Sequence, residues 1–374
     1  MGKKIFVTSP ALPDLNEYQK FLKKIWDSGQ LTNNGPFHSE FENRIQKYLG
    51  AKQCSLFCNG TLALIIGIKA LRLTGEIITT PFSFVATTHS IYWNDIQPVF
   101  CDIDSENFNI DPTKIEALIT NKTSAILPVH VYGYPCDTSS IQEIADVYGL
   151  KVIYDAAHAF GVKINDEPIA NLGDMSILSF HATKVFNSVE GGAIVHSDPN
   201  LKKRIDYLKN FGFANETTIV GTGINAKLNE LLSAFGILQL DKFQNEVDKR
   251  KTVAEAYRSF LENLKGIKFF YDCEGVKHNY SYFPIRVEDL NGKNLRDELY
   301  KYLRENDIYT RRYFFPLISQ IPAYRNLPSA RPENLPVAEK VSRQILALPI
   351  YGNLELIEVE RICTLIESFT KKRI

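Results

Sequence analysis

Apolar residues recur at helical spacing near the start of the chain. Leu15, Tyr18, Leu22, Ile25 and Trp26 share one face, and Gly29 ends the run. A second helix is predicted from Ser39-Glu40-Phe41-Glu42, which reads as a capping box. Phe41, Ile45 and Tyr48 form its apolar face, and Gly50 is its stop. The turn-rich string LTNNGPF joins the two.

From about residue 50 to 200 short apolar runs alternate with helical patterns. The predicted strands are 76–81, 98–103, 124–131, 151–155, 175–180 and 193–196. Between them lie helical stretches such as TLALIIGIKALRL, PTKIEALI after Asp111, and SSIQEIADVYG. Continuous apolar strands separated by helices imply an α/β layer with a mostly parallel sheet flanked by helices. Residues 225–263 read as a long helical passage. Beyond it come FPIRV, a helix around Leu295, Leu299 and Leu303, a Pro- and aromatic-rich stretch from Arg311 to Pro336, and two more helical patterns. This predicts a large domain over residues 1–245 and a smaller C-terminal α+β domain over 246–374, with no repeat and no flexible linker.

Composition narrows the class. The chain has 374 residues, 44% of them apolar, with 43 basic and 43 acidic side chains, so its formal net charge is zero. That balance gives no nucleic-acid footprint and no polybasic membrane patch. The most apolar run, LALIIGIKAL, is too short to span a bilayer and contains Lys69. The N-terminal string MGKKIFVTSP lacks an apolar signal core. Cys54, Cys58, Cys101, Cys136, Cys273 and Cys363 are scattered, and the spacing of Cys54 and Cys58 does not make a metal site. Reduced thiols in a cytoplasmic protein, without bound metal, are the expectation.

Three positions invite chemistry. Lys184 follows a predicted strand and precedes Gly191 and Gly192; ligands collect where the strands of open α/β sheets end. A lysine there can form a Schiff base with an aldehyde if its surroundings deprotonate it, although most lysines are solvated surface groups. Asp155 ends the strand KVIYD and suits a ribose, a metal or a protonated ring nitrogen; it also suits a plain helix cap. Asn59-Gly60-Thr61 opens an apolar helix whose free N–H groups suit a phosphate, or mark a simple cap. Ser179 and His181 precede Lys184, and His130 and His158 stand after strands, each able to serve a ligand or to sit in the core.

The strings CNGTLAL, PFSFVATTHS, PVHVYG, VIYDAAHAFG, SFHATKVFNSVEGGAIV and GINAKLNELLSAFGILQL resemble the DegT/DnrJ/EryC1/StrS family of sugar aminotransferases, which depend on pyridoxal 5′-phosphate (PLP). The resemblance runs from LTNNGPF to LALPIYGN and implies fold type I, the aspartate aminotransferase superfamily. It implies that Lys184 binds the cofactor covalently and then shuttles protons. Asp155 becomes the partner of the pyridine nitrogen, and His158 stands near the phenolic oxygen. Gly60, Thr61 and Ser179 match phosphate-binding positions, and Phe84 an aromatic against the ring. Asn225 matches an asparagine that reaches the phosphate across a dimer interface, so a homodimer with shared sites is expected. Tyr313 falls where the family places a tyrosine near the sugar. Arg311, Arg312 and His181 are further candidates for substrate contacts. Lys227 replaces a common arginine, which leaves the nucleotide side open.

The resemblance implies transfer of the amino group of L-glutamate to C-4 or C-3 of a nucleotide-linked keto-6-deoxyhexose, usually dTDP-linked in such enzymes, for bacterial surface glycans. Alternatives are a PLP-dependent sugar dehydratase, which typically has histidine in place of the lysine, and a non-catalytic binding protein of the same fold. A glycine-rich dinucleotide fingerprint after the first strand is absent from the sequence.

Overall fold

The computed structural model describes residues 4–288 and 295–373. Its organising layer is a sheet of seven strands: β1 (Gln53–Phe57), β2 (Glu76–Thr79), β3 (Gln97–Phe100), β4 (Thr123–Leu127), β5 (Lys151–Asp155), β6 (Met175–Ser179) and β7 (Gly192–His196). Their spatial order is β1-β7-β6-β5-β4-β2-β3. The run from β3 to β6 pairs in parallel, whereas β7 lies antiparallel to both β6 and β1. Helices cover the strands, so both faces are dry and the strands read as unbroken apolar runs.

Six strands fall where the apolar runs predict them. β1 escapes that reading because its buried Ser55 makes QCSLF look amphipathic; the hydroxyl is satisfied by Asp206 at 2.8 Å. The helices are α1 (Leu15–Ser28), α2 (Pro36–Tyr48), α3 (Gly60–Ala70), α4 (Ala86–Tyr92), α5 (Thr138–Tyr148), α6 (Pro199–Leu208) and α7 (Glu230–Leu261). PTKIEALI is not an α-helix: it folds as two short 3-10 turns, Pro112–Lys114 and Glu116–Leu118. Asp111 binds both the N–H and the hydroxyl of Thr113, which tightens the first of them.

The capping box at Ser39 also fails. α2 begins at Pro36, and its first free N–H groups, those of Phe37 and His38, each donate at 2.8 Å to the carboxylate of Glu230 on α7. A distant acid therefore does the work of a local cap, at the end of the helix where negative charge is favoured. The fit is close enough that a Cβ on Gly35 would lie 2.6 Å from the Glu230 carboxyl carbon.

α7 runs unbroken through residue 245, so the two regions share one continuous helix. The C-terminal part builds an antiparallel sheet from β8 (Ile267–Phe269), β9 (Phe283–Val287) and β10 (Ile345–Leu348). α8 (Leu295–Glu305), α9 (Pro336–Gln344) and α10 (Leu356–Arg373) accompany it. Residues Ile5–Phe6 pair in parallel with Ile308–Tyr309, which ties the start of the chain to its last third.

Between α2, α7 and the sheet lies an aromatic cluster of Phe41, Phe160, Phe180, Phe186 and Phe243. Phe160 stacks on Phe186 at 4.3 Å, and Phe180 meets Phe186 edge-on at 4.9 Å. Gly236 on α7 lets Phe41 approach, because a Cβ there would collide with the ring.

Glu230→Ala should lower unfolding stability by about 2–3 kcal/mol, because it strands two buried N–H donors. Glu230→Gln, which keeps one acceptor oxygen, should cost less. Urea midpoints check this; equal midpoints for Glu230→Ala and the parent would remove the capping role.

Candidate active site

A cavity of about 240 Å³ opens at the carboxyl ends of β5 and β6, roofed by Tyr282, Tyr313 and Phe314 from the C-terminal part. This is where open α/β sheets gather ligands. Lys184, Asp155, His158, Gly60, Thr61, Phe84, Ser179, His181 and Tyr313 all line it.

Lys184 rides on a loop closed at its base by two backbone hydrogen bonds, Ser188 N–H to Phe180 O (2.9 Å) and Phe180 N–H to Gly191 O (2.8 Å). Phe180 and Phe186 flank the lysine in sequence and anchor the loop in the aromatic cluster. Among the described residues Nζ makes no hydrogen bond and no ion pair. It lies 6.0 Å from the ring centre of Tyr282. Burial lowers its pKa to about 8, against the opposing pull of Asp155 and of Tyr313.

Asp155 is fixed from both sides. Its N–H donates to Pro128 O at 2.9 Å, and its carbonyl accepts from His130 N–H at 3.1 Å. The carboxylate accepts from the Thr87 hydroxyl (2.7 Å) and the Ala157 N–H (3.1 Å). The single hydroxyl proton of Thr87 goes to Asp155, so Ser83 must be the donor in its 2.9 Å contact with Thr87. Burial raises the pKa of Asp155, while Thr87, the Ala157 N–H and Lys184 restrain the rise. Neither Asp155 nor Lys184 has an ion-pair partner among the described residues, although they face one cavity.

His158 is held in one tautomer. Its Nδ1 accepts the Tyr132 N–H at 3.2 Å, so the ring proton sits on Nε2. Phe314 stacks on the ring at 5.9 Å and Tyr282 meets its edge at 4.9 Å. Burial, reinforced by Lys184, keeps its pKa well below the ordinary histidine value.

At the far end α3 begins. Asn59 caps it by accepting from Leu62 N–H at 2.8 Å, and the N–H groups of Gly60 and Thr61 have no backbone partner among the described residues. The backbone is crowded there: a Cβ on Gly60 would lie 3.1 Å from Ser179 Cβ, and one on Gly192 would lie 2.7 Å from Gly60 N.

Other candidates lie elsewhere. Asn225 and Lys227 are joined to each other at 2.9 Å outside the cavity of this chain. Arg312 is not a free substrate cation: it pairs with Asp297 at 3.0 Å and lies over the ring of Tyr300. Arg311 is exposed and outside the cavity, with its backbone bridged to Ala347. His130 belongs to the core, where it stacks on Tyr154 at 4.7 Å and accepts the Cys136 N–H at 3.0 Å. Thr87, Ser83, Tyr282, Phe314 and Glu190 escaped sequence reasoning. PFSFVATTHS contains the first two, but nothing in its pattern links them to Asp155.

The model of the DegT/DnrJ/EryC1/StrS aminotransferase family matches residues 14–367. The chain belongs to this family. A dTDP-4-amino-4,6-dideoxy-D-glucose transaminase of Escherichia coli is 49% identical over 354 residues, covering 94% of this chain and 95% of the relative. A protein of the same name from Shigella dysenteriae is 46% identical, with 95% and 96% covered. The crystal structure of DesI with its TDP-sugar product superposes with a TM-score of 0.94 at 33% identity, covering 100% of this chain and 95% of that one. The chain is thus an aminotransferase with the fold type I architecture of its structural neighbours.

Modification of Lys184 by an aldehyde with cyanoborohydride should climb through about pH 8 and then level off, because only neutral Nζ attacks. Exposed lysines should still be gaining near pH 10. Peptide mass spectrometry over a pH series reads both, and a Lys184 inflection near pH 10 would contradict the assigned environment.

Proposed function

We propose that this aminotransferase moves the amino group of L-glutamate to C-4 of a dTDP-linked 4-keto-6-deoxyhexose, with PLP in the cavity at Lys184. The observation that carries the reading is an amine and a carboxylate, neither with an ion-pair partner among the described residues, facing one cavity that ends at the start of α3. Those residues suit the cofactor. Lys184 Nζ would take its aldehyde, and Asp155 its ring nitrogen. Gly60 and Thr61 N–H groups with the Ser179 hydroxyl would take its phosphate, where any larger residue at position 60 would crowd the space. Phe84 offers an aromatic face and His158 Nε2 a donor.

Bound there, the cofactor supplies an electron sink for the pair left when the α-C–H bond of the amino donor breaks. The rest is done by the chain. With a pKa near 8, a useful fraction of Lys184 is neutral at physiological pH and can act as nucleophile and as base. Nζ takes the α-proton from the donor and returns a proton when the keto sugar is aminated. The Asp155 carboxylate, one oxygen of which Thr87 steadies, would favour positive charge on the ring nitrogen. Tyr282, Tyr313 and Phe314 cover one side of the cavity.

Amination at C-4 and a dTDP carrier are supported by the names of the two relatives near half identity. A dTDP-3-amino-3,6-dideoxy-alpha-D-galactopyranose transaminase of Aneurinibacillus thermoaerophilus is 31% identical, and a GDP-perosamine synthase of Vibrio cholerae 30%. The proposed working unit is a cytoplasmic homodimer. Asn225 and Lys227 lie beside the exposed Phe211 and Ile224, and they would complete the cavity of a second copy. The product would feed a surface glycan.

Incubation with PLP, L-glutamate and either dTDP-4-keto- or dTDP-3-keto-6-deoxyglucose, followed by NMR of the product, tests the assignment. A 4-amino sugar is expected, and amination of the 3-keto sugar alone would reject it. Lys184→Ala should abolish the visible absorption of covalently bound cofactor while leaving far-ultraviolet dichroism unchanged. Asp155→Asn should retain cofactor yet lose about a hundredfold or more in turnover; near-normal turnover would rule out its role.

A further inference from the structure

The loop that carries Lys184 ends in a turn with unusual backbone. Val189, a β-branched residue, has φ +68°, a region such side chains rarely occupy and which costs about 1–3 kcal/mol. Packing does not account for it, since the Val189 side chain is 43% exposed. What the turn achieves is the placement of the next residue. Glu190 is held by its N–H to Ser188 O (2.9 Å) and by its carbonyl, which accepts the Ser188 hydroxyl (3.0 Å). Gly191 follows without a Cβ because one would strike that same hydroxyl. The Glu190 side chain then lines the cavity that holds Lys184.

Its neighbour there is His181, also on the cavity wall. His181 Nδ1 accepts the Thr183 N–H at 3.2 Å and lies 2.8 Å from the Thr183 hydroxyl, so its proton is on Nε2. Nε2 stands 3.5 Å from Glu190 Oε1, which orients the carboxylate. Both side chains are about half exposed, at 47% and 51%, toward the cavity mouth. Apart from that 3.5 Å approach, the Glu190 carboxylate has no side-chain partner among the described residues, which leaves it available to a ligand.

We propose that Glu190, oriented by His181, is a specificity-determining residue that accepts hydrogen bonds from ring hydroxyls of the keto sugar. This rests on the transamination reading above. An ionised carboxylate is acceptor-only, and its hydrogen bonds from neutral hydroxyls are charge-assisted. It repels the other anionic groups that enter: the two carboxylates of glutamate and the phosphates of the nucleotide. The ammonium of glutamate is committed to the chemistry at Lys184. Sugar hydroxyls are the donors left to meet Glu190, so it favours the sugar over the amino acid in a site both must share.

The test separates the two substrates of the PLP-loaded enzyme. Glu190→Gln should weaken the dTDP-keto-sugar half-reaction, read as its kcat/KM, at least tenfold more than the L-glutamate half-reaction. Calorimetry should show the Kd of the dTDP-amino-sugar product rising about tenfold more than that of dTDP alone. His181→Asn should act in the same direction but less. Equal changes in both half-reactions and both ligands, or no change, would overturn the proposal, since a merely structural carboxylate treats them alike. Failure of the unmodified enzyme to react with glutamate would instead reject the proposed function.

Discussion

Two desolvated ionisable groups of opposite sign share one cavity without forming an ion pair, and much of the fold exists to keep them apart and aimed. An ion pair between them would engage both groups and cost them their availability. Asp155 is prevented from moving by main-chain bonds to Pro128 and His130 and by donors on its carboxylate from Thr87 and Ala157. Lys184 is carried by a closed loop whose flanks, Phe180 and Phe186, are locked in the aromatic cluster. Burial then acts on both in the direction of neutrality, raising the carboxyl pKa and lowering the amine to about 8.

The aromatic cluster links this local constraint to the architecture. Phe41 belongs to α2 and Phe243 to α7, and both pack against the rings that carry the lysine loop. Glu230 fixes α2 against α7, so the cap that sets the start of one helix also sets the floor beneath Lys184. α7 continues into the C-terminal part, whose β9 and following loops deliver Tyr282, Tyr313 and Phe314 as the roof. The hydroxyl of Tyr132, from the large region, donates to the carbonyl of Tyr313 and ties roof to wall.

Legibility in the sequence followed interaction range. Six of the sheet strands announce themselves because burial on both faces makes them uniformly apolar, while β1 hides behind the polar but satisfied Ser55. Local end signals such as Gly29 and Gly50, both at positive φ, stand where the helices stop. The start of α2 does not, because its cap comes from Glu230, far along the chain. At the cavity the same division holds. Lys184, Asp155 and Gly60 stand at ends of strands or helices, where pattern reading looks. Thr87 and Tyr282 matter only through partners remote in sequence, and no spacing reveals those. Arg312 illustrates the converse: it looked available as a cation until the fold brought Asp297 and Tyr300 to it.

His158 shows how one buried group can assist such a cavity without disturbing its charge. A protonated imidazole here would sit beside the amine of Lys184 and drive its proton off, leaving two cationic sites to compete. Burial lowers the histidine pKa well below its usual value, and the nearby ammonium lowers it further. The Tyr132 N–H settles which nitrogen is bare, so the neutral ring presents a donor at Nε2. The stack with Phe314 comes from the C-terminal part, which means the roof helps fix the plane of that ring. Across the neutral pH range the titrating amine is therefore Lys184, and the proton traffic of the site is concentrated on Nζ.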